Sequence, residues 1–210
     1  MSEKANFAAA FSLFSFAGRR PGAVNDMSAE QERSAILAEY AVGNTVLFGK
    51  QNGQPIAWQV MDENGKFRML LAKAPVAQQP YNERYLDTSW QTCTLRKWLN
   101  GPFVRETFTM EEQTRILATR VENLPNPKYY TNAGAGSVDK LFILSLDEVE
   151  KYLPTDALRA AGSWWWLRSP GSNLLSAAAV YEDGSIYDTG INVNYTDGGV
   201  RPALWLRLKV

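Results

Sequence analysis

Three consecutive tryptophans, Trp164, Trp165 and Trp166, run into Leu167-Arg168-Ser169-Pro170-Gly171 and restrict the fold of this chain more than any other stretch. Side chains alternate across a strand, so the middle ring must face away from its two neighbours, and rings this large dominate packing wherever they are buried. The block is therefore read as core, with stacking of an indole on a sugar ring as the competing use. A second stiff stretch, Gly198-Gly199-Val200-Arg201-Pro202-Ala203-Leu204-Trp205, lies near the other end of the same region. Between the two, Ser, Asn, Tyr, Asp, Thr, Gly and small apolar residues predominate. Rigid ends around an adaptable middle suit a scaffold that holds out a binding surface. Arg168 and Arg201 are read as structural pins at the two ends, their guanidinium forks matched to carbonyls or carboxylates.

The composition removes several classes of function. Lys plus Arg and Asp plus Glu each number 22, so no net field recruits nucleic acid or an anionic membrane. A single cysteine, Cys93, permits no intrachain disulfide, no multi-cysteine metal site and no two-cysteine redox motif. The sequence has no histidine, which excludes Ser-His-Asp and Cys-His catalysis and the usual zinc sites. Asp and Glu abound, but no spacing singles out an acid and a base that would sit about 5 to 9.5 Å apart, as a two-carboxylate glycosidase needs. No catalytic residue, cofactor or metal is assigned.

At 210 residues the chain fits one domain, 44–210, preceded by a segment, 1–43, that carries one helix. The apolar run 7–16 is short of the roughly 20 residues that span a bilayer. Glu3 before it and Arg19-Arg20 after it weaken a signal-peptide reading and favour a packing segment. No membrane span is expected.

Ser28, with Gln31 three residues on, opens a helix through Tyr40 that Gly43 ends. From residue 45 the pattern switches to short strands at 45–49, 55–61 and 67–73, joined at Asn52-Gly53 and Asn64-Gly65, dipeptides that favour tight hairpin turns. Helices are expected at 95–100, stopped by Gly101-Pro102, and at 110–119, with Thr109 as N-cap and Glu112 reaching back to it. A loop at 125–137 precedes a buried strand at 141–144, and a helix capped by Ser145, with Glu148 at its third position, ends before Pro154. Strands resume after Trp164. There Tyr181-Glu182-Asp183-Gly184 and Tyr195-Thr196-Asp197-Gly198 each set a tyrosine two residues before an Asp-Gly turn, as two loops pointing the same way would. A last strand, 203–208, alternates Leu204, Leu206 and Leu208 against Trp205 and Arg207. The fold class is α+β, antiparallel strands with inserted helices and a loop-rich C-terminal half.

Three phrases in order, Cys93-Thr94-Leu95-Arg96-Lys97-Trp98-Leu99-Asn100, Trp165-Trp166-Leu167-Arg168-Ser169-Pro170-Gly171 and Gly198-Gly199-Val200-Arg201-Pro202-Ala203-Leu204, resemble a bacterial and phage domain family of unknown function. That family is similar to the formylglycine-generating-enzyme-like branch of the C-type-lectin fold, and the resemblance covers about 45–210. It implies a domain with many loops whose C-terminal part carries the ligand surface. Calcium lectins of this fold use Glu-Pro-Asn or Gln-Pro-Asp and Trp-Asn-Asp phrases, which this sequence lacks; Glu182, Asp183 and Asp188 read as a solvated hairpin, so no required metal is expected. The oxidising relatives use a pair of cysteines that bind copper, whereas Cys93 stands alone and, beside Leu95 and Trp98, reads as buried.

Some members of this fold are targets of diversity-generating retroelements, which rewrite adenines near the C-terminus of the coding sequence. Changes at an AAC codon reach residues such as Asn, Tyr, Ser, Asp, Thr, Ile and Gly, but never Lys, Gln, Glu, Met or Trp. Residues 172–197 contain no Lys, Arg, Gln, Met or Trp, and one Glu, Glu182. Turn-rich hairpins favour the same residue types without any such mechanism. Ser172, Asn173, Leu174, Tyr181, Tyr187, Asp188, Thr189, Ile191, Asn192, Asn194, Tyr195 and Asp197 are the candidate ligand-binding residues, tyrosines giving rigid contact area and short polar groups adjustable hydrogen bonds. The expected function is non-enzymatic recognition of a protein or glycan, such as one on a cell surface in a phage or bacterial setting, with oligomer formation compatible. A structural or assembly module of a phage particle or oligomer, and an enzyme with an unrecognised carboxylate site, are the alternatives.

Overall fold

Asn52 and Gly53 have φ of 50° and 77°, the paired positive values of the tight turn that matches strand twist, and they close the first hairpin. The structure, a computed structural model, describes residues 28–210; the apolar run 7–16 and its two readings lie outside the described residues. Helix α1 (Ala29–Glu39) leads into strands β1 (Thr45–Gln51), β2 (Gln54–Asn64), β3 (Phe67–Ala72) and β4 (Ala77–Gln78). A helical stretch follows: α2 (Thr94–Trp98), a π-helical turn (Leu99–Phe103), α3 (Val104–Thr107) and α4 (Met110–Arg115). Next come β5 (Thr119–Val121), β6 (Ser137–Asp139), α5 (Leu146–Tyr152) and α6 (Asp156–Arg159). The C-terminal part supplies β7 (Trp165–Pro170), β8 (Ser176–Val180), β9 (Ile186–Asn192), β10 (Gly199–Val200) and β11 (Ala203–Arg207).

The fold is mixed α+β with mostly antiparallel sheets. One sheet runs β1-β2-β3-β11, a second β4-β10-β7-β8-β9, and β5 pairs with β6 alone. The parallel contact is β10 with β7, through Gly199 and Trp165. Because β11 closes the first sheet and β10 joins the second, the stretch 199–207 ties the two sheets together. Ile56, Trp58 and Val60 point inward from β2, and Leu204 and Leu206 from β11, while Trp205 is half-buried and Arg207 exposed. Trp58, Trp90, Trp165 and Trp166 are fully buried, so removing one such ring should cost about 3–5 kcal/mol.

Local signals were reliable where they were self-contained. Ser28 with Gln31, Thr109 with Glu112 and Ser145 with Glu148 all form reciprocal capping boxes. The structure departs from expectation at three places. Gly101-Pro102 does not stop the helix: Pro102 sits inside the π-helical turn, whose longer bond spacing accommodates a ring that would clash in an α-helix, and the chain continues into α3. The helix from Met110 ends at Arg115, not 119, because Ile116 bridges Leu206 and the Leu117 N–H donates to the Trp205 carbonyl (2.9 Å). Residues 141–144 are buried but form no strand beyond a bridge from Phe142 to Ala203. Side chains from elsewhere meet their backbone groups instead: Asn100 donates to the Leu141 carbonyl (2.8 Å) and accepts from its N–H (3.1 Å), and Arg168 donates to the Ile143 carbonyl (2.9 Å). Helix α6 had no counterpart in the sequence reading.

Candidate functional site

The tryptophan block builds the floor on which the C-terminal loops rest. Trp165 is buried on one side of β7, its Nε1–H donating to the Arg159 carbonyl (3.1 Å), and Trp166 is buried on the other, donating to the Gln79 carbonyl (2.9 Å). Trp164 meets Trp166 edge-on with centroids 4.8 Å apart and stays half-buried. A Cβ at position 198 would collide with both the Trp164 and Trp166 rings, so Gly198 is what lets the turn 195–198 lie directly over the indoles.

The arginines act as pins. Arg168 is buried, binds the Glu148 carboxylate of α5 through two nitrogens and donates to the carbonyls of Ile143 (2.9 Å) and Glu122 (3.1 Å). Arg201 is buried over the Trp165 ring, 5.0 Å from its centroid, and donates to the Ala72 carbonyl (2.8 Å). No carboxylate pairs with it among the described residues, and burial pulls its pKa down to about 10.

Strand β8 is short-chained and buried from Ser176 to Val180. Its register with β9 slips between Ala177 and Ala179, which oppose Ile191 and Tyr187. The bulge keeps Tyr187 and Ile191 on one side with Gly190 and takes Thr189 out of the alternation. Tyr187 and Ile191 then share an open groove of about 380 Å³ with Trp164, Tyr181, Asn192, Tyr195 and Asp197. The Tyr181 and Tyr187 rings stack at 4.9 Å with 28° between their planes. Tyr181 is 39% exposed and Tyr195 52%, so both rings present surface to solvent. Partial burial, then the neighbouring Tyr187, pushes the Tyr181 phenol up. The turn carrying Tyr181 is fixed by Asp183, which accepts from the Ser185 hydroxyl (2.6 Å) and N–H (2.9 Å) and is held below the usual carboxylate range by those bonds.

The two Tyr-x-Asp-Gly repeats thus deliver their tyrosines to one groove. Six of the nominated residues meet there: Tyr181, Tyr187, Ile191, Asn192, Tyr195 and Asp197. The others do not line it. Asp188 pairs with Lys128 (3.1 Å), and the Thr189 hydroxyl bonds that of Tyr129 (2.8 Å). Asn173 folds onto the Leu175 N–H (2.9 Å), the Ser172 N–H bonds the Thr189 carbonyl (2.8 Å), and Leu174 borders a separate hollow of about 280 Å³ with Thr88, Ser89 and Thr92. Asn194 is exposed beside Tyr195. Trp164 and Gly190 line the groove without having been nominated; the signal for Trp164 was the rule that three adjacent rings cannot all point one way.

Another hollow, about 240 Å³, opens beside Arg168, Glu148, Tyr152 and Trp205. Its arginine is already engaged by Glu148, and the Tyr152 hydroxyl donates to Asp62 (2.8 Å), so these polar groups serve the fold. Cys93 is buried as the N-cap of α2, and burial pushes its thiol up to about 12, which keeps it protonated and unreactive at neutral pH. Among the described residues no group of three or more His, Cys, Asp or Glu side chains could hold a metal ion, and no helix is long and apolar enough to cross a membrane.

No curated protein and no solved structure is significantly similar to the chain. A family model matches residues 66–208, a span that contains the phrases around Trp98, Trp166 and Arg201. The match begins in the turn between β2 and β3, although β1 and β2 complete the sheet that β3 and β11 share. The chain therefore belongs to the family described as Domain of unknown function (DUF6273).

Proposed function

We propose that this chain is a non-enzymatic ligand-binding module that recognises a protein or glycan through the groove between its two Tyr-x-Asp-Gly turns. The observation that carries the reading is the convergence of Tyr181, Tyr187 and Tyr195 with Trp164 on one open, solvent-facing groove. Rigid two-torsion aromatic side chains give contact area at low entropic cost, and Asn192 and Asp197 add adjustable hydrogen bonds. The scaffold beneath is stiff, since Trp165, Trp166, Arg168 and Arg201 are all buried and bonded.

The finer reading is a C-type-lectin-like fold displaying a hypervariable surface of a diversity-generating retroelement. It is supported by the resemblance of the three phrases and by the residue content of 172–197. A cell-surface target in a phage or bacterial setting fits such a surface.

Binding of the purified chain to a glycan array and to intact bacterial cells, compared with a Tyr187→Ala, Tyr195→Ala double variant that keeps the wild-type melting profile, tests the site. Equal binding by both proteins would move the site elsewhere. For hypervariability, the prediction is a nearby near-copy of the segment encoding 172–197 that differs mainly at adenines, beside a reverse transcriptase gene; its absence from the source genome would leave ordinary divergence as the origin of the composition.

A further inference from the structure

We infer that the groove between the two Tyr-x-Asp-Gly turns takes an alkylammonium cation, such as the trimethylammonium group of a choline head or of a trimethylated lysine. The inference rests on the reading of this groove as a ligand site and narrows what the site holds.

Two independent features agree. The first is aromatic: Trp164, Tyr181, Tyr187 and Tyr195 all line the groove, and the faces of such rings carry the negative lobe of a quadrupole that attracts cations. The second is charge. Asp197 is the one charged residue that lines the groove, and neither Lys nor Arg does. Glu182 and Asp183, in the same turn as Tyr181, are exposed as well. The neighbourhood is acidic although the whole chain carries 22 basic and 22 acidic residues, because 172–197 contains no Lys or Arg.

The other side of the hairpin shows what a carboxylate looks like here when the fold uses it. Asp188 is paired with Lys128 at 3.1 Å, whereas Asp197 and Glu182 take part in none of the ion pairs among the described residues. An anionic ligand would meet carboxylates that no basic partner offsets. A compact, strongly hydrated ammonium would lose its water shell against the rings, but an alkylated one is weakly hydrated and offers methyl groups to them. A neutral sugar can stack on the same rings and is the occupant from which the experiment must separate the cation.

The test is calorimetric or NMR titration of the full chain with choline and with its neutral isostere 3,3-dimethylbutan-1-ol, which has the same shape without the charge. Choline should saturate the groove, the isostere should bind about tenfold more weakly or worse, and Asp197→Asn should weaken choline binding severalfold. Tyr187→Ala, checked for an unchanged melting profile, should abolish it. A trimethyllysine peptide and phosphatidylcholine vesicles then separate a protein source of the cation from a lipid one. Equal affinity for choline and its isostere, or saturation by a methyl glycoside where choline gives none, overturns the inference while leaving the groove as a ligand site. Failure of ammonium ligands, glycans and cells alike to bind removes both readings.

Discussion

The two sides of the β8–β9 hairpin use the same kinds of residue to opposite ends. On one, Asp188, Thr189 and the backbone are fastened to the 126–129 loop: Lys128 pairs with Asp188, Tyr129 bonds Thr189, and the buried Asn126 amide donates to the carbonyls of Pro170 (2.9 Å) and Asp188 (2.8 Å). On the other, Tyr181, Tyr187, Asn192, Tyr195 and Asp197 line an open groove, and the aromatic contacts they make are largely with one another. Polar side chains that are saturated by the fold hold it in place; those left facing solvent are free to meet a ligand. Whether a residue of this hairpin is available to a ligand therefore depends on the side it occupies.

The largest perturbation should come from the scaffold. Arg168→Ala would leave the half-buried Glu148 carboxylate with the Ser145 N–H alone and the Ile143 and Glu122 carbonyls without their donor, at a cost of about 3–5 kcal/mol, measured by urea unfolding. A loss below about 1 kcal/mol would mean that Arg168 is not the pin described. Asn126→Ala comes next, at about 1–3 kcal/mol, because the buried Pro170 carbonyl and the half-buried Asp188 carbonyl lose one shared donor. The same variant should also loosen the fastened side of the hairpin, visible as faster amide exchange at Asp188 and Thr189 than at Val180.

These two residues also mark what the sequence could and could not reveal. The capping boxes were legible because donor and acceptor lie three residues apart, and the Asn52-Gly53 hairpin because its two torsions are a local preference. The burial of Trp165 and Trp166 followed from ring size and alternation. What stayed hidden was decided at long range. Residues 141–144 read as a strand, yet outside the Phe142–Ala203 bridge their backbone is met by Asn100 and Arg168, and α4 ends where Ile116 meets Leu206. The site was half legible for a related reason. Strict alternation from Tyr187 would have put Thr189 in the groove, but the bulge hands that place to Gly190 and turns Thr189 towards Tyr129. The slip's one mark in residue type is Gly190, a glycine inside a strand with φ of 87°, which alternation alone passes over.

On the open side the expected stability effects shrink while the effect on binding grows. Tyr195→Ala removes a ring that is 52% exposed and should change unfolding free energy by no more than about 0.5 kcal/mol, yet it should remove most of the ligand affinity. A melting-temperature drop comparable to that of Asn126→Ala would place Tyr195 among the structural residues and erase the contrast between the two sides.

The smallest effect is expected at the exposed pair of the fastened side. Hydrogen bonding to Asp188, and then to Tyr129, raises the Lys128 pKa above that of a free lysine. The folded state thus holds this proton more tightly than the unfolded chain does, so the stabilisation is fully present below the ordinary lysine value and fades as pH rises through the raised one. Across neutral pH it should be flat. Lys128→Met should accordingly melt slightly below the wild type in dilute buffer at pH 7, match it in high salt where exposed pairs are screened, and match it again in strong alkali. A gap that persists at high salt would show that the ammonium held over the Tyr129 ring, 5.1 Å from its centroid, contributes beyond the salt-screened pair with Asp188.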